Sequence, residues 1–457
     1  MSRYRPALTT LCVSLAWLIA PIAHGETYTQ ISAGYGHTCA IYGSGGVHCW
    51  GQNALGQLGD GTTTNSAVPV VVPGLTGVTS VSAGFSHTCA LAQGVVKCWG
   101  YNDAGQLGDG SASSFSPTPV AVVALATIVN QPVAVKAGGG FSCAQMLNGV
   151  TNASTVRCWG NNGNGQVGSG STAATVPAPA TVSGLTGVTH LSAGFLTACA
   201  VTGGTVRCWG RGTSGILGTG AIVASSNVPA TAAIGVSNAT MVAVGVSHAC
   251  AVNGSNGDAW CWGDRQYGQV GDGTIATGSP RTTPYFFGAS FRPTHIAAGG
   301  FSTCGVVNGQ AFCWGANNKS QLGSVGQLTD SAAPLAVTGL TGGIATVAVG
   351  HQHACALTTT GAIGCWGDNY FGQRGNLPFT DASDAGNARV SGTIAPVKCS
   401  LDVDGDGQVL ATTDAVLLAR AALGYTGTAL TANALTANAP RRTPDDLLSY
   451  MKLSCGL

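Results

Sequence analysis

Cys39-Ala40-Ile41-Tyr42 leads through a short turn to Val47-His48-Cys49-Trp50-Gly51, and Gly56-Gln57-Leu58-Gly59 follows. The order is cysteine, apolar run, cysteine, Trp-Gly, then a glycine-rich loop. Cys-Trp-Gly recurs at Cys49, Cys98, Cys158, Cys208, Cys261, Cys313 and Cys365, about fifty residues apart. Each copy has an upstream partner: Cys39, Cys89, Cys143, Cys199, Cys250, Cys304 and Cys355. A regular period in this range marks a repeat architecture, in which one closed array uses most of the chain.

The second copy shows the local structure. Val78-Thr79-Ser80-Val81 alternates and turns at Gly84; His87–Leu91 is a strand, Gln93-Gly94 a turn and Val95–Trp99 the returning strand. Short runs rich in Val, Cys and Trp between glycines are the signature of strands and hairpins. Pro119 marks a fourth, edge strand. Four short strands cannot bury both faces alone. Seven such sheets packed radially can, and closure leaves only short edges. The expected fold is therefore all-β: a seven-bladed β-propeller of four-stranded blades over residues 26–397. Glu26–Ile31 is the candidate to pair with Val390–Val397 and close the ring. The repeat tryptophans are read as wedges between blades. Trp260 stands outside the repeat beside Cys261-Trp262 and is expected on the other sheet face.

The cysteines bear on compartment. Of 17, Cys12 lies in the leader, leaving sixteen. An even set suits disulfides in an oxidising environment. The simplest pairing is within each copy: Cys39–Cys49, Cys89–Cys98, Cys143–Cys158, Cys199–Cys208, Cys250–Cys261, Cys304–Cys313 and Cys355–Cys365, with Cys399 left for Cys455. The alternative is buried free thiols acting as small apolar residues. Residues 1–25 read as a secretory signal: Arg3 and Arg5, an apolar Ala7–Ala20, and Ala23-His24-Gly25 as the cleavage site. No later apolar stretch reaches the roughly 20 residues of a membrane span. Secreted, periplasmic or cell-surface placement follows.

Charged residues are 8% of the chain and the net charge is +1. That lacks the basic footprint of nucleic-acid binding. Gly105-Gln106-Leu107-Gly108 invites a phosphate-loop reading, but no Gly-Lys-Ser/Thr and no helix follow, so it is read as a structural turn. His37, His87, His248 and His353 each precede a copy's first cysteine by two residues, where Phe141, Thr197 and Ser302 stand in the others. One histidine per blade is poorly placed to share a metal and is read as a structural hydrogen-bonding residue. No catalytic set emerges.

The pattern Ala83-Gly-Phe-Ser-His-Thr-Cys89, Gly94-Val-Val-Lys-Cys-Trp-Gly100 and Gly105-Gln-Leu-Gly-Asp-Gly110 resembles the repeat of the regulator of chromosome condensation family. The resemblance implies a seven-bladed propeller. The founding members are nuclear exchange factors for a small GTPase, and that activity enters only as an alternative here, because no exchange-factor residue maps onto this chain. Departures fall at Ala137–Cys158, where the hairpin is longer, and at Gly215-Ile216-Leu217-Gly218, where the glutamine is lost.

Residues 398–457 differ in composition. Asp402-Val-Asp404-Gly-Asp406-Gly-Gln408, with Asp414 downstream, offers the alternating oxygen ligands and sharp glycine turn that calcium requires. Gln408 would contribute its backbone carbonyl. A helix over Asp414–Leu423 and another after Thr443 are expected. The segment resembles a dockerin-type calcium module, an α-helical unit whose partner would be cohesin-like. It departs by carrying one acidic loop instead of two, and by placing Asp414 one position late. The sequence thus supports a non-enzymatic binding or scaffold protein with a protein or cell-surface partner. The alternative is a dockerin-tethered accessory of extracellular polysaccharide degradation.

Overall fold

The computed structural model describes residues 27–375 apart from 112, 325–328 and 341–342, together with the backbone of 391–394. The first blade is built from β1 (Tyr28–Ala33), β2 (His37–Tyr42), β3 (Gly46–Gly51) and β4 (Ser66–Val71). All its pairings are antiparallel and its spatial order follows the chain. Six further sheets repeat this plan over Val78–Ala121, Asn130–Thr181, Val188–Ser226, Met241–Phe286, His295–Ala336 and Ile344–Ile394. They are blades 2 to 7.

Short β-rich runs alternate with glycine turns, so each chain segment folds back at once as a meander. A bulge at Cys-Trp-Gly skews the third strand of blades 1, 2, 3, 5 and 6 before the fourth pairs with it. Its glycine has φ between +93° and +109° in all seven copies. A Cβ on Gly100 would also sit 2.6 Å from the Ser86 carbonyl oxygen, so no other residue fits.

The core is a set of interfaces between blades. Val47, Leu58 and the Cys39–Cys49 pair of blade 1 pack with Val81 and Trp99 of blade 2. The same composition recurs at each junction, including that of blade 7 with blade 1, where Cys355 and Cys365 meet Trp50. All seven repeat tryptophans are essentially inaccessible to solvent. Trp260 shares a cluster with Trp262 while Cys261 faces the next junction, so Trp260 lies opposite the cysteine and on the same face as its fellow tryptophan. Residues two apart on a strand must share a face.

Ring closure, which the sequence leaves open, does not use the candidate pairing among the described residues. Gln30 and Ile31 pair with Ile41 and Ala40 inside blade 1, and the backbone of Ser391–Ile394 pairs with Ile363 and Cys365 inside blade 7. Among the described residues no strand is shared between first and last blades. The two meet face to face, through packing and through hydrogen bonds from Tyr28 N to the Gly361 oxygen (3.0 Å) and from Trp50 Nε1 to the Gln373 oxygen (3.0 Å). An intact meander at both ends already satisfies the strand edges that an exchange would serve.

Candidate functional site

Every inner strand ends in a turn of the form x-Gly-x at the propeller axis. These turns are linked by backbone hydrogen bonds in an unbroken circle. Tyr35 N donates to the Gly84 oxygen (3.1 Å), Phe85 N to Gly138 (3.0 Å), Gly139 N to Gly194 (3.1 Å) and Phe195 N to Gly245 (3.4 Å). Val246 N then donates to Gly299 (2.9 Å), Gly300 N to Gly350 (2.9 Å) and His351 N to Gly34 (3.1 Å). The glycine is obligatory: a Cβ on Gly84 would lie 2.5 Å from the Gly138 oxygen.

The residue after each glycine frames the mouth of the central channel. Tyr35 stacks at a tilt on Phe85 (4.1 Å between centroids) and on His351 (4.5 Å), and Phe85 reaches Phe195 at 5.1 Å. Gly139 stands between the last two, and its bare backbone lets them meet. Tyr35, Phe85, Phe195, Val246 and His351 are all half-buried. Burial lowers the His351 pKa while the Asp368 charge works against it, so the ring enters the cluster mainly as a neutral aromatic. The mouth frames an open hollow of about 100 Å³. That is well below the roughly 300 Å³ at which pockets for drug-sized ligands begin.

Behind the mouth each blade clasps the next. His37 Nε2 lies 2.8 Å from Thr88 Oγ1, which donates to the Gln57 carbonyl at 2.9 Å. Trp99 Nε1 donates to the same carbonyl at 2.9 Å. The hydroxyl's one proton is therefore spent on the carbonyl, so the imidazole must donate, and the tautomer is Nε2–H. The clasp recurs as His87 with Ser142, His248 with Thr303 and His353 with Thr38. Where blade n lacks histidine, as at Phe141, Thr197 and Ser302, blade n+1 carries alanine in the hydroxyl's place: Ala198, Ala249 and Ala354. The lost glutamine at Ile216 costs nothing here, because its backbone carbonyl still accepts from Trp262 Nε1 (2.7 Å). Burial holds His37, His248 and His353 at a pKa of about 3 and His87 at about 4.

This pairing predicts a measurable coupling. Ser142→Ala alone strands a buried Nε2–H and should cost about 1–3 kcal/mol. Adding His87→Phe, the Phe141/Ala198 combination found at the next junction, should recover at least half of that in urea unfolding. Strictly additive losses would refute the clasp.

The within-copy cysteine pairs stand 4.0 to 4.1 Å apart at Cα, directly opposite one another on neighbouring strands. Cys399, Cys455 and the calcium candidates Asp402, Asp404, Asp406, Gln408 and Asp414 lie outside the described residues, as does the 1–25 leader. Among the described residues no three His, Cys, Asp or Glu side chains gather as metal ligands. No helix of the described residues is long and apolar enough to cross a membrane. The aromatic mouth escaped the sequence reading. Its signal was an apolar residue recurring directly after a turn glycine, a place where the hairpin itself needs none.

Fold and site define a disulfide-stapled seven-bladed propeller with an aromatic axial mouth. Models of the regulator of chromosome condensation (RCC1) repeat match residues 44–91 and 308–357, and a second form matches 28–57, 78–106, 241–269 and 344–373. The chain carries RCC1 repeats. It is 31% identical over 353 residues to the ultraviolet-B receptor UVR8 of Arabidopsis thaliana, covering 76% of this chain and 66% of that protein. The fold is similar to human WBSCR16 (TM-score 0.64, 22% identity, 73% of this chain and 92% of that one). It is also similar to Prp20p of Saccharomyces cerevisiae (TM-score 0.63, 20% identity, 78% and 85%).

Proposed function

We propose that this protein is a secreted, non-enzymatic binding protein whose propeller engages a protein or cell-surface partner through the axial mouth. The observation that carries this reading is the half-exposed run His351–Tyr35–Phe85–Phe195. Large aromatic side chains with one face open, held on a rigid frame, are the usual anchors of protein interfaces. The cavity they frame is too small for an extended ligand. A broad partner surface resting on the rim suits it better. Seven disulfides point to an oxidising, extracellular environment. Prp20p is described with binding properties toward Gsp1p and histones. At 20% identity that likeness speaks for the fold alone, so the partner's chemistry here rests on the mouth.

The tail belongs to the same proposal as a calcium-stabilised unit for attachment or display, with Asp402, Asp404, Asp406, Asp414 and the Gln408 carbonyl as ligands. One experiment tests both parts. The full mature chain and its Tyr35→Ser/Phe85→Ser/Phe195→Ser variant are cross-linked to the host's own envelope and secreted proteins, with calcium and with chelator. A specific partner that the wild type retains and the triple variant loses at least tenfold is expected. Retention by the triple variant would move recognition off the mouth. Loss on chelation alone would place it in the tail and favour a docking role.

A further inference from the structure

The aromatic run does not stop at the axial mouth. Phe301, which follows the blade 6 turn, lies 5.7 Å from His351 between centroids. Tyr267, in the glycine-rich loop of blade 5, lies 5.2 Å from Phe301. Joined to His351–Tyr35–Phe85–Phe195, they make a file in which each ring stands 4.1 to 5.7 Å from the next. The blade 7 loop places Phe371 over Gly36 in the same way. A Cβ on Gly36 would lie 2.9 Å from that ring, and Tyr370, 59% exposed, stands 4.9 Å from it. Two separate places in the repeat, turn and loop, thus bring rings to one face. Neither place needs them for folding, because blade 2 carries Ser86 and Ala104 where Phe301 and Tyr267 stand.

The polar groups among these rings are neutral and unspent. The hydroxyls of Tyr35, Tyr267 and Tyr370 and the side-chain amides of Gln266 and Gln352 have no hydrogen-bond partner among the described residues. Open charge is scarce on the same face. Three charged side chains stand directly after Cys-Trp-Gly: Arg211, Asp264 and Asp368. Both Asp264 oxygens are occupied, by Gln266 N (3.1 Å) and Ser247 Oγ (3.4 Å). Asp368 is buried and accepts from Gln373 Nε2 (2.7 Å). Arg211, in the blade of Phe195, donates from Nε to Thr213 Oγ1 (2.8 Å).

A protein docked on such a surface forgoes the steering and register that charge pairs supply. A neutral polyhydroxylated chain needs neither. Its sugar rings turn apolar C–H faces toward aromatic faces, and its hydroxyls both donate and accept, matching tyrosine hydroxyls and glutamine amides. Tyrosine rings held rigidly also give contact area at small cost in conformational entropy. We infer that the mouth face binds a neutral polysaccharide chain, laid along Tyr267, Phe301, His351 and Tyr35. The inference rests on the mouth face being the recognition surface and names the class of partner it takes. The chain lies across the rim and does not enter the small hollow, which is framed largely by the glycine turns.

Native affinity electrophoresis of the full mature chain tests this, in gels containing hydroxyethylcellulose, xyloglucan, galactomannan, dextran or the anionic polygalacturonate. Retardation by at least one of the neutral polymers is expected, and it should persist at high salt, where charge-driven binding is screened. Tyr267→Ala/Phe301→Ser installs the residues that blade 2 already carries at both places, so the fold tolerates it, and it should weaken the apparent Kd at least tenfold. Tyr267→Phe/Phe301→Tyr keeps both rings and should bind within threefold of the wild type. No retardation by any neutral polymer, retardation by polygalacturonate alone, or binding within twofold by the variant lacking both rings would each overturn the inference. A protein captured through Tyr35, Phe85 and Phe195 by a chain that no polymer retards would keep the mouth as the recognition surface and remove the polysaccharide from it.

Discussion

Reduced under mild denaturant and returned to buffer with reductant present, this protein should stay unfolded at 25 °C. Each pair closes a loop of 9 to 15 residues. On the loop-entropy model a bridge of that size contributes about 2.5–3 kcal/mol. Seven together come to about 18–20 kcal/mol, more than the roughly 5–15 kcal/mol by which whole domains are stable. The pairs also sit inside the junctions, with Cys39 and Cys49 against Trp99, so reduction loosens the surfaces that hold blade to blade. Far-UV circular dichroism and intrinsic tryptophan emission report the outcome. A reduced chain that keeps native emission and a cooperative melt would show that blade packing suffices without the bridges. Intermediate reduction should fail junction by junction, because each bridge serves its own interface.

Acid is the second strong lever. His37, His248 and His353 have folded pKa values of about 3, and His87 of about 4, each lowered first by burial. An unfolded histidine titrates near 6.5. The unfolded chain therefore binds more protons between those limits, and stability must fall as pH drops through that window. The contribution is fully present above pH 6.5 and is lost progressively toward pH 3–4. From pH 7 to pH 5 the linkage relation gives about 2 kcal/mol per histidine, or roughly 7–8 kcal/mol for the four. Urea midpoints measured from pH 7.5 to 4.5 should drop accordingly, before most carboxylates titrate. The His87→Phe/Ser142→Ala pair should remove one proton from the slope, about 1.4 kcal/mol per pH unit. A flat midpoint across the window would mean these imidazoles are already protonated in the folded protein, in place of the neutral rings that burial favours.

Much of this was legible in the sequence because strands with period two and a repeat with period fifty translate directly into register. Cys89 and Cys98 flank a two-residue turn, so they must face each other. Histidines that recur in phase announce a structural task. The task itself was hidden, since it lies between copies: His87 is explained by Ser142, four strands on in the chain but in the adjacent blade around the ring. The alternation of histidine–hydroxyl with Phe141–Ala198 was printed in the sequence, yet it means nothing until blade order is known. Closure stayed open in the sequence for a related reason. Pairing strand with strand is how sheets usually protect an edge, whereas here the contact between first and last blades is a face. The mouth was least visible. Tyr35, Phe85, Phe195 and His351 come from scattered copies, and only convergence on the axis makes neighbours of them.

Because the described first and last blades each keep their own four strands, each fifty-residue copy of the chain is a whole mechanical part. A duplication or deletion in the gene that spans one copy would insert or remove a complete blade with both junction surfaces intact. Variation can then collect at the rim. Blade 4 keeps only Ser225–Ser226 as its outermost strand, while blade 5 runs from Ala276 to Phe286. The blade number is held at the hub, where seven glycines pass one hydrogen bond around a circle with no room for a side chain. Such a molecule behaves like a wheel whose spokes are interchangeable and whose axle is not. Surveys of sequence change in proteins of this build should find the outer strands free to diverge in length and the axial x-Gly-x turns nearly immobile.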